Sequence, residues 1–249
     1  MARSFEGKVV LVTGANSGIG ETAVALFAEA GARVIGTARR KEALEAARAR
    51  HPGVKWVLAD VTDAAGVKAA VEGAVREAGR LDVLVNNAAT FTFGPLEQSG
   101  EEMLRAQFEA NVYGPVFVTQ AALPALKESR GSVINISSAV GHKPAPGGSI
   151  YGATKAALES LTRSWALELA PLGVRVNAIA PGPTETPAFD KLGPPDQIAA
   201  VKASFVKQVP LGRMASTEEV CRWIVLLADP SVTWVTGQVI SIDGGMSLT

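Results

Sequence analysis

The sequence predicts a doubly wound α/β fold, in which helices cover both faces of a parallel β-sheet. Short runs rich in valine and isoleucine alternate along the chain with longer alanine-rich stretches. These runs are mostly apolar and show no regular alternation with polar residues, which is typical of strands buried on both faces. Of the 249 residues, 47% are hydrophobic, which provides the material for a large core. We therefore expect a single domain over residues 1–249.

Seven segments are predicted to be strands, and helices are predicted between most of them. In chain order the strands are KVVLVTG at 8–14, ARVIGTA at 32–38, VKWVLAD at 54–60, LDVLVNN at 81–87, GSVINIS at 131–137, VRVNAIA at 174–180 and GQVISID at 237–243. Helices are expected at 20–30, 41–50, 64–78, 101–128 and 151–169. Pro171 and Gly173 end the last of these. Residues 181–210 are rich in proline and glycine and contain an amphipathic insert, so we expect a lid or a substrate-binding segment there.

Charge and cysteine content argue against several classes of function. Lys plus Arg and Asp plus Glu are 24 each, so no net charge favours nucleic acid or an anionic membrane. The one cysteine, Cys221, excludes an internal disulfide, and with only His51 and His142 beside it no protein-ligated metal is expected. No apolar run reaches the roughly 18 to 20 residues that span a bilayer, and residues 1–7 are too polar for a signal peptide. The cytoplasm is the expected compartment.

A glycine-rich turn joins the first predicted strand to the first predicted helix. It reads TGANSGIG from Thr13 to Gly20. Its glycines allow a tight turn and let backbone N–H groups approach a pyrophosphate at the helix N-terminus. The turn predicts a dinucleotide site, and the alternative is a tight strand-to-helix turn without a ligand.

Tyr151 and Lys155 lie one helical turn apart in the segment YGATK. Such a pair suits proton transfer, because a cation within about 4 to 6 Å lowers the pKa of a phenol by roughly 1 to 3. Taken alone, the pair favours a half-exposed tyrosine beside a solvated lysine over a catalytic pair. The other motifs decide between the two interpretations.

Six motifs together resemble the short-chain dehydrogenase/reductase family over the whole chain. In the family's order and spacing they are Thr-Gly-x-x-x-Gly-Ile-Gly at 13–20, NNAA at 86–89, Asn111, SS at 137–138, Tyr-x-x-x-Lys at 151–155 and PGPTET at 181–186. The resemblance implies a single-domain Rossmann fold with a seven-stranded parallel sheet, usually assembled as a homotetramer. It also implies nicotinamide-dependent interconversion of a carbonyl compound and an alcohol without a metal. Ala89 departs from the glycine more usual in the second motif.

The resemblance gives catalytic roles to four residues. Tyr151 is the general acid and base, and Lys155 both tunes it and binds the nicotinamide ribose. Ser138 would present its hydroxyl to the substrate carbonyl, and its spacing to Tyr151 selects it over Ser137, since neighbouring strand residues point to opposite faces. Asn111 is assigned a water that relays protons to Lys155, with a buried structural asparagine as the alternative.

The resemblance also implies a set of cofactor contacts along the carboxyl ends of the strands. They are Gly14, Asn16, Ser17, Gly18, Ile19, Gly20, Arg39, Arg40, Asp60, Val61, Asn87, Ala88, Tyr151, Lys155, Pro181, Gly182, Thr184 and Thr186. Asn86 is expected near the adenosine ribose. Asp60 is expected against the adenine, with a helix N-cap as the alternative, and Thr184 and Thr186 near the nicotinamide carboxamide.

The end of the second strand predicts NADP(H) as the cofactor. A chain that prefers NAD would carry Asp or Glu there for the ribose hydroxyls, whereas this chain has Ala38, followed by Arg39 and Arg40. Cations are poorly placed at a helix N-terminus, where the dipole favours an anion such as the 2′-phosphate. The alternative is that both arginines are solvated.

The substrate pocket is expected to be mostly apolar. It would be formed by Phe91, Phe93, residues 140–146 and residues 186–205, with His142 as a solvated loop side chain. This composition favours an apolar ketone or aldehyde, and therefore a carbonyl reductase.

Two alternative functions are kept. One is a 3-oxoacyl-acyl-carrier-protein reductase, to which the chain is similar in length and in IDGGM at 242–246. That class docks its acidic carrier through arginines at positions that align with Ser129 and Leu172 here, so those cations are missing, although Arg130 is adjacent. The other is a catalytically silent dinucleotide-binding sensor, a class that generally lacks the tyrosine or the lysine.

Overall fold

A computed structural model describes residues 4–191 and 193–249, and its central feature is a seven-stranded, all-parallel β-sheet. The strands are β1 Val9–Val12, β2 Arg33–Ala38, β3 Lys55–Leu58, β4 Val83–Asn86, β5 Ser132–Ile136, β6 Arg175–Pro181 and β7 Val239–Ile242. Their order in the sheet is β3-β2-β1-β4-β5-β6-β7. The seven predicted strands and the doubly wound fold are confirmed.

Helices cover both faces of the sheet. They are α1 Gly18–Glu29, α2 Lys41–Arg50, α3 Ala64–Ala78, α4 Glu101–Phe108, α5 Gly114–Ser129, α6 Ser149–Leu169, α7 Pro195–Val206 and α8 Thr217–Ala228. Buried side chains of α1, α2 and α8 form one core with the sheet, and those of α3, α5 and α6 form a second core on its other face. Apolar residues of every strand from β1 to β6 are therefore covered by helices, which explains why these strands read as continuous apolar runs.

The helix predicted at 101–128 is interrupted. A π-helical turn at Glu109–Tyr113 separates α4 from α5. Pro115 explains this in part, because proline has no N–H to donate to the Asn111 carbonyl as an α-helix requires. The predicted irregular segment at 181–210 contains a 3₁₀ turn, Pro187–Lys191, and helix α7.

The strand order places a crevice at the carboxyl ends of the strands. The chain winds from β1 towards β3 on one side and from β4 towards β7 on the other, so the connections after β1 and β4 diverge. Such a switch point is where doubly wound sheets bind ligands. In the part of the chain that the structure describes, no helix combines the length and apolarity needed to cross a bilayer.

Candidate active site

A cavity of about 820 Å³ lies across this switch point and brings nearly all the predicted site residues together. The predicted residues that line it are Gly14, Asn16, Ser17, Gly18, Ile19, Arg39, Arg40, Asp60, Val61, Asn87, Ala88, Ser138, Tyr151, Lys155, Pro181, Gly182, Thr184 and Thr186. Three residues with predicted catalytic or cofactor roles, Gly20, Asn86 and Asn111, lie outside this lining. Within residues 4–191 and 193–249, no group of three or more His, Cys, Asp or Glu side chains could hold a metal ion.

The glycine-rich turn forms one end of the cavity. Gly14 and Gly18 have φ values of +60° and +57°, a left-handed conformation that favours glycine. A Cβ at Gly20 would lie 2.4 Å from the Gly14 carbonyl oxygen, so Gly20 is needed for close packing of the turn. The Asn87 side chain donates to the carbonyl oxygens of Thr13 and Gly14 at 2.9 and 3.0 Å and holds the turn against the end of β4.

The N-terminus of α1 suits an anion. Its N-cap, Ser17, is extended, and in the described structure its side chain makes no capping hydrogen bond. The first N–H groups of the helix therefore keep their capacity to bind a ligand, and the helix dipole favours a negative one. The turn and the helix end together fit the pyrophosphate of a dinucleotide.

Two arginines follow β2 at the same end. Ala38 is the last residue of β2 and is buried, whereas Arg39 and Arg40 are exposed and line the cavity. Arg40 is the N-cap of α2. Across residues 4–191 and 193–249, neither guanidinium forms an ion pair with a carboxylate. Both cations are thus available to an anionic ligand.

Asp60 is not a helix cap. The N-cap of α3 is Asp63, which accepts from the Gly66 N–H at 3.0 Å. Asp60 instead accepts from the N–H and hydroxyl of Thr62 at 3.0 and 2.8 Å, and it lines the cavity beside Val61. The cap alternative is removed, and the geometry is compatible with an adenine contact.

Tyr151 lies in the first turn of α6 at the opposite end of the cavity. Its half-buried ring lies 6.0 Å from Phe91 and 5.6 Å from Phe93, measured between ring centroids. The Ser138 hydroxyl lies near enough to the phenol to influence its pKa. Lys155 is buried, with Nζ 5.6 Å from the Tyr151 ring centroid, and it donates to the Ile136 carbonyl at 2.8 Å.

The pKa of Tyr151 differs from the expectation. Burial raises the pKa of this phenol to about 12, and the nearby Ser138 hydroxyl acts in the opposite direction. Burial also lowers the pKa of Lys155 to about 8. The predicted lowering of the tyrosine pKa by Lys155 is therefore wrong for this structure. Phe91 and Phe93 desolvate the phenol, and the ammonium lies against the Ile136 carbonyl.

Ser137 and Ser138 point to different surroundings. The Ser137 hydroxyl is buried and donates to Glu159 Oε1 at 2.9 Å. Ser138 has an extended backbone and reaches Tyr151. Of the two serines, Ser138 is therefore the one that lies beside Tyr151, whereas the Ser137 hydroxyl is engaged by Glu159.

The placement of Asn86 near the ribose is wrong. Asn86 is buried, and its side-chain N–H groups donate to Thr119 Oγ1 at 3.0 Å and Asn135 Oδ1 at 2.9 Å. It connects β4, β5 and α5 within the core. Adjacent strand residues face opposite sides, and Asn87 has the outward position of this pair.

The side chain of Asn111 is structural. It donates to the Thr90 carbonyl at 2.8 Å and to Thr154 Oγ1 at 3.0 Å, and it accepts from the Thr90 N–H at 2.8 Å. These bonds join the π-helical turn to α6 and to the loop after β4.

His142 is exposed, as expected, but both of its ring nitrogens have partners within the protein. Its Nδ1 lies 3.1 Å from Glu159 Oε1 and its Nε2 lies 3.1 Å from Ser241 Oγ. Sequence reasoning also missed Met246, which lines the cavity from the C-terminal segment, and the contacts of Glu159 with Ser137 and His142. No local pattern marks these residues, since each acts through a distant part of the chain.

Comparisons with known proteins agree on one family. A family model described as Enoyl-(Acyl carrier protein) reductase matches residues 14–247. The chain is 42% identical over 248 residues to the 3-oxoacyl-[acyl-carrier-protein] reductase FabG of Thermotoga maritima, covering 97% of this chain and 98% of that protein. It is 39% identical over 254 residues to an L-fucose dehydrogenase of Bos taurus, covering 100% and 92%. A solved structure described as ElxO with NADP bound has a TM-score of 0.89 and 31% identity, covering 97% of this chain and 99% of that one.

Proposed function

Because the chain belongs to the short-chain dehydrogenase/reductase family, we propose that it is NADP(H)-dependent and interconverts an uncharged, apolar ketone or aldehyde and its alcohol. Membership of this family makes the protein an oxidoreductase of CH–OH groups that uses a nicotinamide dinucleotide. One observation carries the proposal. Tyr151, Ser138 and Lys155 lie together at one end of the cavity, and Arg39 and Arg40 line the other.

The proposed cofactor contacts follow the geometry of the cavity. The turn from Gly14 and the N-terminus of α1 would hold the pyrophosphate, and Arg39 the 2′-phosphate. Asp60 would meet the adenine. Thr184 and Thr186, on the loop after β6, would hold the nicotinamide end. Consistent with this, a Cβ at Gly18 would come within 3.3 Å of Thr186, so the loop after β6 closes onto the glycine-rich turn.

The chain's own residues handle the proton. The bound nicotinamide supplies the hydride that the carbonyl carbon accepts. As negative charge develops on the carbonyl oxygen, Tyr151 Oη donates a proton to it and Ser138 Oγ donates a second hydrogen bond. A phenol with a pKa of about 12 still donates readily, because an alkoxide is far more basic than a phenolate. In the cofactor-free enzyme Tyr151 is protonated at neutral pH, as reduction requires.

The proton on Tyr151 must be replaced after each turnover. Lys155 is the neighbouring donor, and its Nζ lies in the interior beside the Ile136 carbonyl. Asn111 lies in the π-helical turn, where Pro115 cannot supply the N–H that its carbonyl would accept in an α-helix. We propose that this carbonyl holds a water that passes protons to Lys155.

The kcat/KM for ketone reduction is expected to fall as the pH rises through about 8. Burial lowers the pKa of Lys155 to about 8, so its cation is present below that pH in the free enzyme and is lost above it. Tyr151 titrates well above this range. The free energy of unfolding changes with pH in the opposite direction. Between the folded pKa of about 8 and the unfolded pKa near 10.5, the unfolded chain binds more protons than the folded one, so the free energy of unfolding increases with pH over this range. Steady-state kinetics from pH 6 to 10 test this, and a flat profile across pH 7 to 9.5 would contradict it.

The substrate end of the cavity supports an uncharged, apolar compound. Beyond Tyr151 its lining is dominated by aromatic and aliphatic side chains, namely Phe91, Phe93, Val140, Phe189, Val201, Phe205 and Met246. The polar exceptions include Gln197 and Thr90. Lys202, which lies over the Phe189 ring, is paired with Glu185. Among the described residues that line this end, no cation besides Lys155 could neutralise a substrate anion.

A pair of matched ketones tests the proposal. With NADPH as reductant, acetophenone is expected to have a kcat/KM at least about tenfold above that of 4-acetylbenzoate, because the added carboxylate would be desolvated without a partner. Equal values would contradict the apolar pocket and leave the oxidoreductase activity intact. No turnover of any ketone, aldehyde or alcohol, with tight NADPH binding, would favour a silent sensor instead.

The 42% identity to FabG favours one second candidate, a 3-oxoacyl-acyl-carrier-protein reductase. Its carrier-docking positions do not support it here. The Ser129 hydroxyl donates to the Leu81 carbonyl, and Leu172 is an exposed apolar side chain. Arg130 is exposed beside them. This candidate requires acetoacetyl carrier protein to be a far better substrate than the acetoacetyl thioester of N-acetylcysteamine, whereas the leading proposal expects no such advantage.

We also propose an assembly state and a cellular location. A homotetramer is supported by exposed apolar side chains on α6, on α8 and before β7, among them Leu167, Trp223, Leu226 and the almost fully exposed Trp234. The cytoplasm is supported by the single buried, free Cys221. We propose one catalytic domain for residues 1–249, since one sheet contains strands from β1 to β7.

A further inference from the structure

Glu159 is a buried carboxylate of α6 that the proposed chemistry does not use. It lies one helical turn beyond Lys155, and its side chain is 4% exposed. Its Oε1 accepts from Ser137 Oγ at 2.9 Å and lies 3.1 Å from His142 Nδ1. Arg163 approaches Oε2 at 3.8 Å from the surface. Burying a carboxylate without partners is energetically costly, and these contacts offset that cost.

The two partners of Glu159 flank the catalytic serine. Ser137 precedes Ser138, and His142 follows it after the 3₁₀ turn Ala139–Gly141. The Gly141 N–H donates to the Ser138 carbonyl at 2.8 Å, which closes this turn. The short segment that carries Ser138 is therefore bound at both ends to a single carboxylate oxygen.

Close packing strengthens this link. A Cβ at Gly141 would lie 2.7 Å from Glu159 Oε1, and one at Gly152 would lie 2.7 Å from the Val140 carbonyl oxygen. The turn thus lies directly on α6. On its other side, His142 Nε2 contacts Ser241 Oγ of β7 at 3.1 Å.

We propose that Glu159 is a positioning residue, which through Ser137 and His142 holds Ser138 in hydrogen-bonding reach of Tyr151. Helix α6 carries both Glu159 and Tyr151, so the carboxylate fixes the end of β5 relative to the general acid. Glu159 lies outside the cavity lining and acts only through its partners. The inference rests on the proposed function, because the role of Ser138 belongs to it.

Glu159→Ala is expected to lower kcat for acetophenone reduction by about 10-fold to 100-fold, because misplacing a catalytic group by about 1 Å has an effect of this order. The KM for NADPH should change by less than about twofold, since the cofactor contacts lie elsewhere. Glu159→Gln keeps an acceptor oxygen and should recover most of the activity. Glu168→Ala, an exposed change on the same helix, is the matched control and should behave as wild type.

A double-mutant cycle separates positioning from general stability. If Glu159 acts through Ser138, its removal should have almost no further effect on kcat in a Ser138→Ala background. If Glu159→Ala does not fold, His142→Ala replaces it in the same cycle. This change is at a partly exposed side chain and should give the same pattern with a smaller loss of kcat. The same loss of kcat in both backgrounds, accompanied by a lower Tm, would overturn the positioning role alone. A wild-type enzyme that reduces no carbonyl compound would overturn the proposed function and this inference together.

Discussion

Tyr151→Phe is expected to lower kcat for carbonyl reduction by about 10²-fold to 10⁴-fold, the usual contribution of a general acid. The Kd for NADPH should change by no more than a few fold, because the hydroxyl acts in the transition state and contributes little to ground-state binding. The phenylalanine keeps the ring contacts with Phe91 and Phe93, so packing of this end of the cavity is preserved.

The chain provides a matched control for this change. Tyr113, the only other tyrosine, is 52% exposed in the π-helical turn and does not line the cavity. Tyr113→Phe should leave kcat unchanged. Stopped-flow or steady-state assays with NADPH provide the rates, and fluorescence titration provides the Kd. A Tyr151→Phe variant that keeps a tenth of the wild-type kcat would remove Tyr151 from the mechanism.

The wild-type enzyme is expected to prefer NADPH over NADH by about 10-fold to 150-fold in kcat/KM. This follows from a hydrogen bond of Arg39 to the charged 2′-phosphate, which contributes roughly 1.5 to 3 kcal/mol. Arg39 lines the cavity directly after Ala38, where no carboxylate is present to bind a ribose 2′-hydroxyl or repel a phosphate. Arg39→Leu should therefore lower kcat/KM for NADPH and leave that for NADH nearly unchanged.

A second substitution should reverse the preference. The double change Ala38→Asp with Arg39→Leu supplies the carboxylate typical of NAD-binding chains. Ala38 is buried, so the double change requires the fold to accommodate a carboxylate at this position. The single Arg39→Leu change tests the role of Arg39 without this requirement. Arg48→Leu, on the exposed side of α2, is the control for loss of a cation near the site. All measurements need the same ionic strength. Equal kcat/KM for the two coenzymes in the wild type would contradict a contact between Arg39 and the 2′-phosphate.

Much of the fold was predictable because its signals are local. Continuous apolar runs in strands follow from burial on both faces, and Gly14 and Gly18 follow from backbone conformations that glycine favours. The position of the cavity then follows from strand order, since parallel strands present their carboxyl ends at one edge. Most of the residues predicted from motif spacing therefore line the cavity.

The errors arose where a role depends on tertiary surroundings. Asn86 and Asn87 are adjacent and chemically identical, and only the pleat of β4 decides which of them faces the core. The pKa of Tyr151 depends on desolvation by Phe91 and Phe93, which lie about sixty positions earlier in the sequence. His142 is exposed as expected, but its contacts with Glu159 and Ser241 from two other elements are recorded in no sequence pattern.

The most direct test of the proposed activity is transfer of deuterium from NADPH that is labelled at C4 of the nicotinamide. With acetophenone as acceptor, the wild-type enzyme is predicted to form 1-phenylethanol that carries one deuterium on its carbinol carbon when the transferred position is labelled. Mass spectrometry and NMR of the alcohol provide the readout. Alcohol without deuterium from NADPH labelled at both C4 positions, or bound NADPH with no alcohol from any uncharged ketone or aldehyde, would contradict the account.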